Sequence, residues 1–173
     1  MSKSLGRRAA TTAAVIALGG LGVVAAQAPA SASTFTASYT CNSPLGNQTI
    51  TVNGTATASP NPTTVGTSTH FTAHIATSLS SPLAINSWSA TLTANVSGAQ
   101  TASFQATGSG GSIPANQPVA ADVAGNWTPT AAGTDQISGG NVTIKANVVL
   151  VGNITATCTP NSPIPVAETL TVN

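Results

Sequence analysis

Charged side chains are scarce in this sequence of 173 residues, in which Asp, Glu, Lys and Arg together make up 4%. Three of the four basic residues stand within the first eight positions, at Lys3, Arg7 and Arg8. The charged residues left in 33–173 are Lys145, Asp122, Asp135 and Glu168, a formal net charge of −2. Nucleic-acid binding needs a cationic surface that neutralises phosphates, and docking on anionic membranes needs a basic patch. We therefore expect no nucleic-acid partner, and no membrane partner once the N-terminal segment is removed.

Aromatic residues and strong helix formers are also few. Aromatic residues make up 3% of the chain, and it contains one methionine and four residues of Lys plus Arg. Threonine and valine, which favour strands, take the place of the residues that favour helices. The composition therefore predicts an all-β protein whose polar surface is built from Ser, Thr, Asn and Gln.

The N-terminus has the pattern of a secretory signal peptide, which combines a basic start, an apolar stretch and a small-residue cleavage site. The basic start ends at Arg8, residues 9–26 are apolar, and Ala30-Ser31-Ala32 offers the cleavage site. A membrane anchor is the alternative, but the apolar run is rich in Ala and Gly and barely long enough to span. We expect cleavage after Ala32, giving a secreted, extracellular domain of residues 33–173.

Only two cysteines are present, Cys41 and Cys158, near the two ends of that domain. In an oxidising compartment two cysteines most simply form one disulfide. A reactive or metal-binding pair would need cationic or ligand partners that this sequence barely contains. The pair therefore predicts one structural disulfide.

Apolar and polar residues alternate with a period of two, which is typical of strands with one face in a core. Phe35, Ala37, Tyr39 and Cys41 form the first of about eight or nine such short strands, which are separated by turn residues. Gly139-Gly140 is predicted to form a tight turn. The pattern predicts an antiparallel, immunoglobulin-like β-sandwich, with a closed barrel as the alternative. The cysteine spacing differs from that of antibody domains, so the prediction concerns architecture and not strand order.

Three short segments resemble a family of secreted actinobacterial β-sandwich domains that is named only as a domain of unknown function. These segments are YTCNSPLGNQTITV (39–52), PTTVG (62–66) and ATCTPNSP (156–163). The resemblance covers nearly all of residues 33–173 and implies an extracellular fold with a single disulfide. It brings no catalytic residues.

Both histidines, His70 and His74, stand in STHFTAHIATSL (68–79). On a helix this spacing brings the two rings about 6 Å apart, close enough to share a zinc ion. On a strand the same spacing is roughly 13 Å, too far for one metal. The threonines of the segment favour a strand, which would place both histidines on the solvent face and Phe71, Ala73 and Ile75 in the core. We therefore expect no metal site and no cofactor.

Catalysis has little support, because no G-x-S-x-G motif occurs and only Asp122, Asp135 and Glu168 could act as catalytic carboxylates.

Trp88 shares a face with Leu92 and Val96, which indicates a core residue. Trp127 lies beside a proline-bearing loop and is the better candidate for an exposed ligand contact.

These patterns predict a non-enzymatic, secreted binding or structural module of unknown ligand. Cell-envelope polymers or a second copy of the chain are its candidate partners, joined through open strand edges. The alternatives are a carbohydrate-binding module that uses Trp127 and, with less support, a hydrolase assisted by a metal at His70 or His74.

Overall fold

The computed structural model describes residues 32–44 and 46–173, and this part of the chain is all β. Its strands are β1 (Ser33–Ser43), β2 (Gly46–Ser59), β3 (Thr69–Ser80), β4 (Ile85–Gly98), β5 (Ala102–Gly110), β6 (Pro118–Trp127), β7 (Gly133–Val148), β8 (Gly152–Pro160) and β9 (Val166–Val172). In the described part, no helix is long and apolar enough to cross a membrane. The predicted signal peptide, residues 1–32, lies outside the described residues except for Ala32.

The strands form one antiparallel sheet that closes on itself. Two meanders, β1–β2–β3 and β4–β5–β6, are joined where β3 pairs with β6. The β7–β8 hairpin fills the remaining gap, with β8 beside β1 and β7 beside β4. The pairing of β4 with β7 runs from Ile85 opposite Val148 to Gly98 opposite Asp135. The first eight strands therefore form a closed barrel.

This closure corrects the finer part of the fold prediction. The all-β, antiparallel architecture is confirmed, but the alternative of a closed barrel describes it better than an immunoglobulin-like sandwich. A strand of either fold alternates inward apolar and outward polar residues in the same way. The period-two pattern therefore could not distinguish the two, because the difference lies in one long-range pairing, β4 with β7.

The longest strand, β7, has different partners along its two halves. Residues 142–148 pair with β8 and residues 133–138 pair with β9. Between these halves the register against β4 shifts, at Gly139-Gly140. The tight turn predicted there is therefore wrong. A glycine pair marks a bulge or a close approach as readily as a turn, and here the Tyr39 hydroxyl lies against Gly139.

One end of the barrel, which we call the closed end, is packed with large side chains. Phe104 lies edge-on to Phe71, with ring centroids 5.6 Å apart, and stacks on Trp127 at 6.3 Å. β9 packs over the same end, where Leu170 and Ile137 are fully buried. This cluster is the main hydrophobic core of the protein.

The predicted disulfide is confirmed, between Cys41 and Cys158. The two cysteines stand directly opposite each other on β1 and β8. These strands pair over a short stretch only, from Tyr39 opposite Pro160 to Asn42 opposite Thr157. We call this short β1–β8 pairing the seam. β5 and β6 share a single register pair, and the seam is the shortest of the other strand pairings in the barrel wall. The covalent bond therefore strengthens a weakly paired part of the wall.

We expect the double substitution Cys41→Ala/Cys158→Ala to destabilise the fold by up to about 4–5 kcal/mol, because the bond closes a long loop in the unfolded chain. Urea unfolding would measure the loss. The matched control is Thr40→Ala/Thr159→Ala, the next register pair of the same seam on the outer face. An equal loss in both double variants would contradict the prediction, as would two free thiols in the denatured, unreduced protein.

Candidate functional site

The interior of the barrel contains a cavity of about 220 Å³. Inward-facing residues of the first eight strands except β5 line it, and most of them are apolar. Small side chains are common in this lining, which includes Ala37, Ala73, Ala94, Ala121, Ala146 and Ala156. The cavity is thus a property of the barrel wall as a whole, not of one loop.

Alanine at the inward positions explains why space remains. Eight strands enclose an interior just wide enough for ordinary side chains to fill or for one small ligand to occupy. Leu, Ile or Phe at these positions would fill it, whereas an alanine side chain ends at Cβ. The sequence carried this signal in its alternating alanines, but periodicity analysis counts an alanine and a leucine alike as inward residues.

The buried residues accordingly fall into three clusters around the cavity. The first is the aromatic core of the closed end. The second belongs to β1, β2 and β8 and contains Tyr39 and the disulfide. The third belongs to β4 and β7 and consists of Ile85, Ala146 and Val148. The second and third clusters lie on different walls, and the cavity is lined by both.

Exposed residues in the lining show where the cavity meets solvent. Exposed Gly46, Gln48, Ser80 and Pro82, at the start of β2 and around the end of β3, and half-buried Ser43, at the end of β1, mark one such place. They belong to the end of the barrel opposite the aromatic core, which also carries the loops 81–84, 111–117 and 149–151. We call it the open end. Ile164, between β8 and β9, is a further exposed residue of the lining.

Trp88 forms part of the cavity wall near the open end. It pairs with Gly110 on β5, and its indole ring lies against the glycine. A Cβ placed on Gly110 would lie 2.6 Å from the indole nitrogen, so only glycine leaves room for the ring. Trp88 was predicted to be a core residue. It is half-buried and lines the cavity.

Tyr39 brings a hydroxyl group into this apolar surrounding. Its side chain is 6% exposed, lines the cavity and touches Gly139 on β7, two strands away in the barrel. Among the described residues, none forms a hydrogen bond with this hydroxyl. Burial raises the pKa of the phenol, so that it stays protonated and remains a hydrogen-bond donor.

Trp127 is not an exposed ligand contact. It is the last residue of β6 and is 9% exposed, with one face of its ring against Phe104. The prediction placed it in a loop because Pro129 follows closely, but β6 continues through it to pair with Thr69. No free ring face remains for stacking on a sugar.

The histidines lie on β3, as predicted, with His70 and His74 exposed and Phe71 and Ala73 buried between them. Each is held by its neighbour on β6. His70 Nδ1 lies 2.9 Å from Asn126 Oδ1, and His74 Nδ1 lies 2.6 Å from Asp122 Oδ1. The two rings therefore belong to separate pairs on the outer wall.

A shallow groove beside His74 is the second candidate site. Thr55 on β2, His74 on β3 and Asp122 on β6 follow one another across three strands, in the order hydroxyl, imidazole, carboxylate. A carboxylate on Nδ1 fixes the ring and directs Nε2 outward. The His74 and Asp122 side chains are, however, 61% and 84% exposed. Water solvates both groups, so this arrangement has little means of activating the threonine.

The other two carboxylates are buried toward the closed end. Asp135 accepts hydrogen bonds from the backbone and side-chain amides of Gln100, at 3.1 and 3.0 Å. Glu168 lies 3.3 Å from Asn61 Nδ2. Asp122 is thus on the outer wall, apart from both. Within residues 32–44 and 46–173, no group of three or more His, Cys, Asp or Glu side chains could hold a metal ion.

The fold and the site together define a class: a single-disulfide, eight-stranded antiparallel barrel with an apolar internal cavity. No protein-family model, curated protein or solved structure matches the chain. The resemblance to a secreted actinobacterial family therefore stays a prediction.

The two tryptophans should differ in their contribution to stability. Trp127→Ala removes a ring packed in the aromatic core and is expected to cost about 3–5 kcal/mol. Trp88→Ala, the matched control, removes a half-buried ring that borders existing space, so its loss should be clearly smaller. Urea unfolding of both variants measures the difference. Equal losses would contradict the assignment of Trp127 to the core and Trp88 to the cavity wall.

Proposed function

We propose that the protein is a secreted, non-enzymatic module that binds one small, mainly apolar molecule inside its barrel. The cavity of about 220 Å³ is the observation that carries this proposal. Secretion is supported by the N-terminal pattern, and the disulfide is consistent with an oxidising compartment.

Cavity size and chemistry define the ligand class. An apolar protein cavity of about 150 Å³ is large enough to bind benzene. The larger cavity here suits a compound of about ten carbon atoms, such as a bicyclic aromatic or a short alkyl chain. The lining contains no charged residue, so a charged group could not enter without losing its hydration. The ligand is therefore uncharged where it is buried.

The same quantities limit the affinity. Burying on the order of 250–300 Å² of apolar ligand surface contributes roughly 6–7.5 kcal/mol at 25 cal/mol per Å². This corresponds to a dissociation constant of about 3 µM at best. The site suits a ligand that is abundant or that exchanges quickly.

Tyr39 gives the cavity a means of orienting its ligand. Its neutral hydroxyl is a donor in an otherwise apolar wall, and a buried donor gains most from an acceptor that no other group supplies. We therefore expect the ligand to carry one oxygen acceptor, a hydroxyl or a carbonyl, beside Tyr39.

The functions predicted earlier fit the structure less well. Self-association or attachment to envelope polymers was predicted through open strand edges, and barrel closure pairs most of these edges. A carbohydrate-binding role lacks the exposed Trp127 ring on which it depended. A metal-assisted hydrolase would rest on His70 or His74, which lie in separate exposed pairs.

Filling the cavity should abolish binding. Ala121 on β6 lines the cavity, and Ala120 next to it is exposed on the outer wall. Ala121→Phe is expected to weaken binding of 2-naphthol more than tenfold by occupying its space, whereas Ala120→Phe leaves it unchanged. Isothermal titration calorimetry measures both, with thermal unfolding as the test that each variant folds. Undetectable 2-naphthol binding by the unsubstituted protein at millimolar concentration would sink the proposal.

Removing the hydroxyl of Tyr39 tests the orientation of the ligand. Tyr39→Phe should weaken 2-naphthol binding about five- to tenfold, the value of one net hydrogen bond. Naphthalene, which has the same ring system without the hydroxyl, is the control ligand and should bind both forms equally. An equal change for the two ligands would show that the phenol acts only through packing.

A further inference from the structure

The β7–β8 hairpin presents apolar side chains directly to water. Its tip, residues 149–151, reads Val-Leu-Val, and Leu150 is 92% exposed while Val151 is 45% exposed. A single exposed aliphatic residue is ordinary on a protein surface. Two adjacent ones at the apex of a projecting hairpin are not needed by the fold, because neither fills the core.

The backbone at the same place is strained. Leu150 has a φ of +69°, in the left-handed region, where a bulky side chain with a Cβ is disfavoured. Gly, Asn or Asp would satisfy this turn, and each would also suit exposure to water. Leucine is thus unfavourable on two independent grounds, conformation and hydration. Strain that the fold does not require is a sign of a functional constraint.

The tip belongs to the open end of the barrel. β7 ends at Val148 and β8 begins at Gly152, and both Val148 and Ile154 line the cavity. The same two strands therefore carry the exposed tip and the inner wall. A surface that covers Leu150 would lie beside a place where the cavity meets solvent.

The surroundings of the tip are polar but uncharged. The loops 81–84, 111–117 and 149–151 contain Ser, Pro, Asn, Gln, Gly and aliphatic residues, with no charged side chain. The nearest charge along β7 is Lys145, five residues before Leu150. This end can therefore approach an apolar phase without removing an ion from water, but it has no cluster of charge with which to bind an anionic surface.

We propose that the open end docks reversibly on an uncharged lipid surface, with Leu150 and Val151 inserted, and that the cavity exchanges its ligand with that lipid phase. This rests on the proposed function, since it names the source of the cavity ligand. It replaces the expectation of no membrane partner, which was argued only from the lack of a basic patch for anionic membranes. A fluid lipid phase accepts a projecting tip without shape complementarity. A stable protein partner would need about 800 Å² per side, far more than two side chains offer.

Vesicle flotation tests the proposal on the purified protein with Leu150→Asn. Asparagine tolerates a positive φ, so the variant should fold with an unchanged or raised melting temperature. It should lower partitioning onto phosphatidylcholine vesicles at least about tenfold, the lower end of the value of one buried leucine side chain. The matched control is Val65→Asn, at an exposed apolar residue near the closed end, which should leave partitioning unchanged.

Three outcomes would overturn the proposal. One is absence of unsubstituted protein from the floated vesicles while 2-naphthol still binds in solution, which leaves the proposed function intact. Another is equal flotation of the protein and the Leu150→Asn variant. The third is a concentration-dependent dimer that Leu150→Asn abolishes without vesicle binding, which would assign the tip to a second copy of the chain. Failure of 2-naphthol binding in solution would instead count against the proposed function itself.

Discussion

Hydrogen bonding between β4 and β7 is the interaction on which the rest of the structure depends. It joins one meander to the β7–β8 hairpin and so turns an open sheet into a closed wall. Without it, the inward residues of β4 and β7 would need a second layer to cover them. With it, the barrel covers its own interior, and small inward side chains leave room inside. The cavity is thus a consequence of closure combined with alanine.

An interior built from alanine has a cost in stability, because small side chains bury little apolar area. The aromatic cluster at the closed end, where Phe71, Phe104 and Trp127 pack together beneath β9, supplies tight packing that the cavity region lacks. The Cys41–Cys158 bond adds stability that does not depend on filling the interior. The protein therefore combines a tightly packed aromatic cluster at the closed end with a cavity lined by the barrel wall.

The sequence predicted the local features well. Alternation placed Phe71 and Ala73 inside and both histidines outside, and the two cysteines formed the expected bond. Trp127 is the local feature that it missed, because a neighbouring proline obscured its strand pattern. The other missed features depend on residues far apart in sequence, such as Gly139, which faces the ring of Tyr39 from another strand. Whether a wall closes, and how much space it encloses, depends on how all strands pair, which no local pattern records.

The position of the closing strands in the sequence also has a consequence for folding. Cys158 is separated from its partner by 117 positions, and β9, which covers the aromatic core, comes later still. Neither the seam nor the closed end can form until nearly the whole chain is available. Until then β1 and β4 keep unpaired edges, and a chain with so few charges has little electrostatic repulsion to keep such edges apart. The yield of folded protein is therefore expected to depend on how quickly the last strands arrive, more than on the stability of the finished barrel.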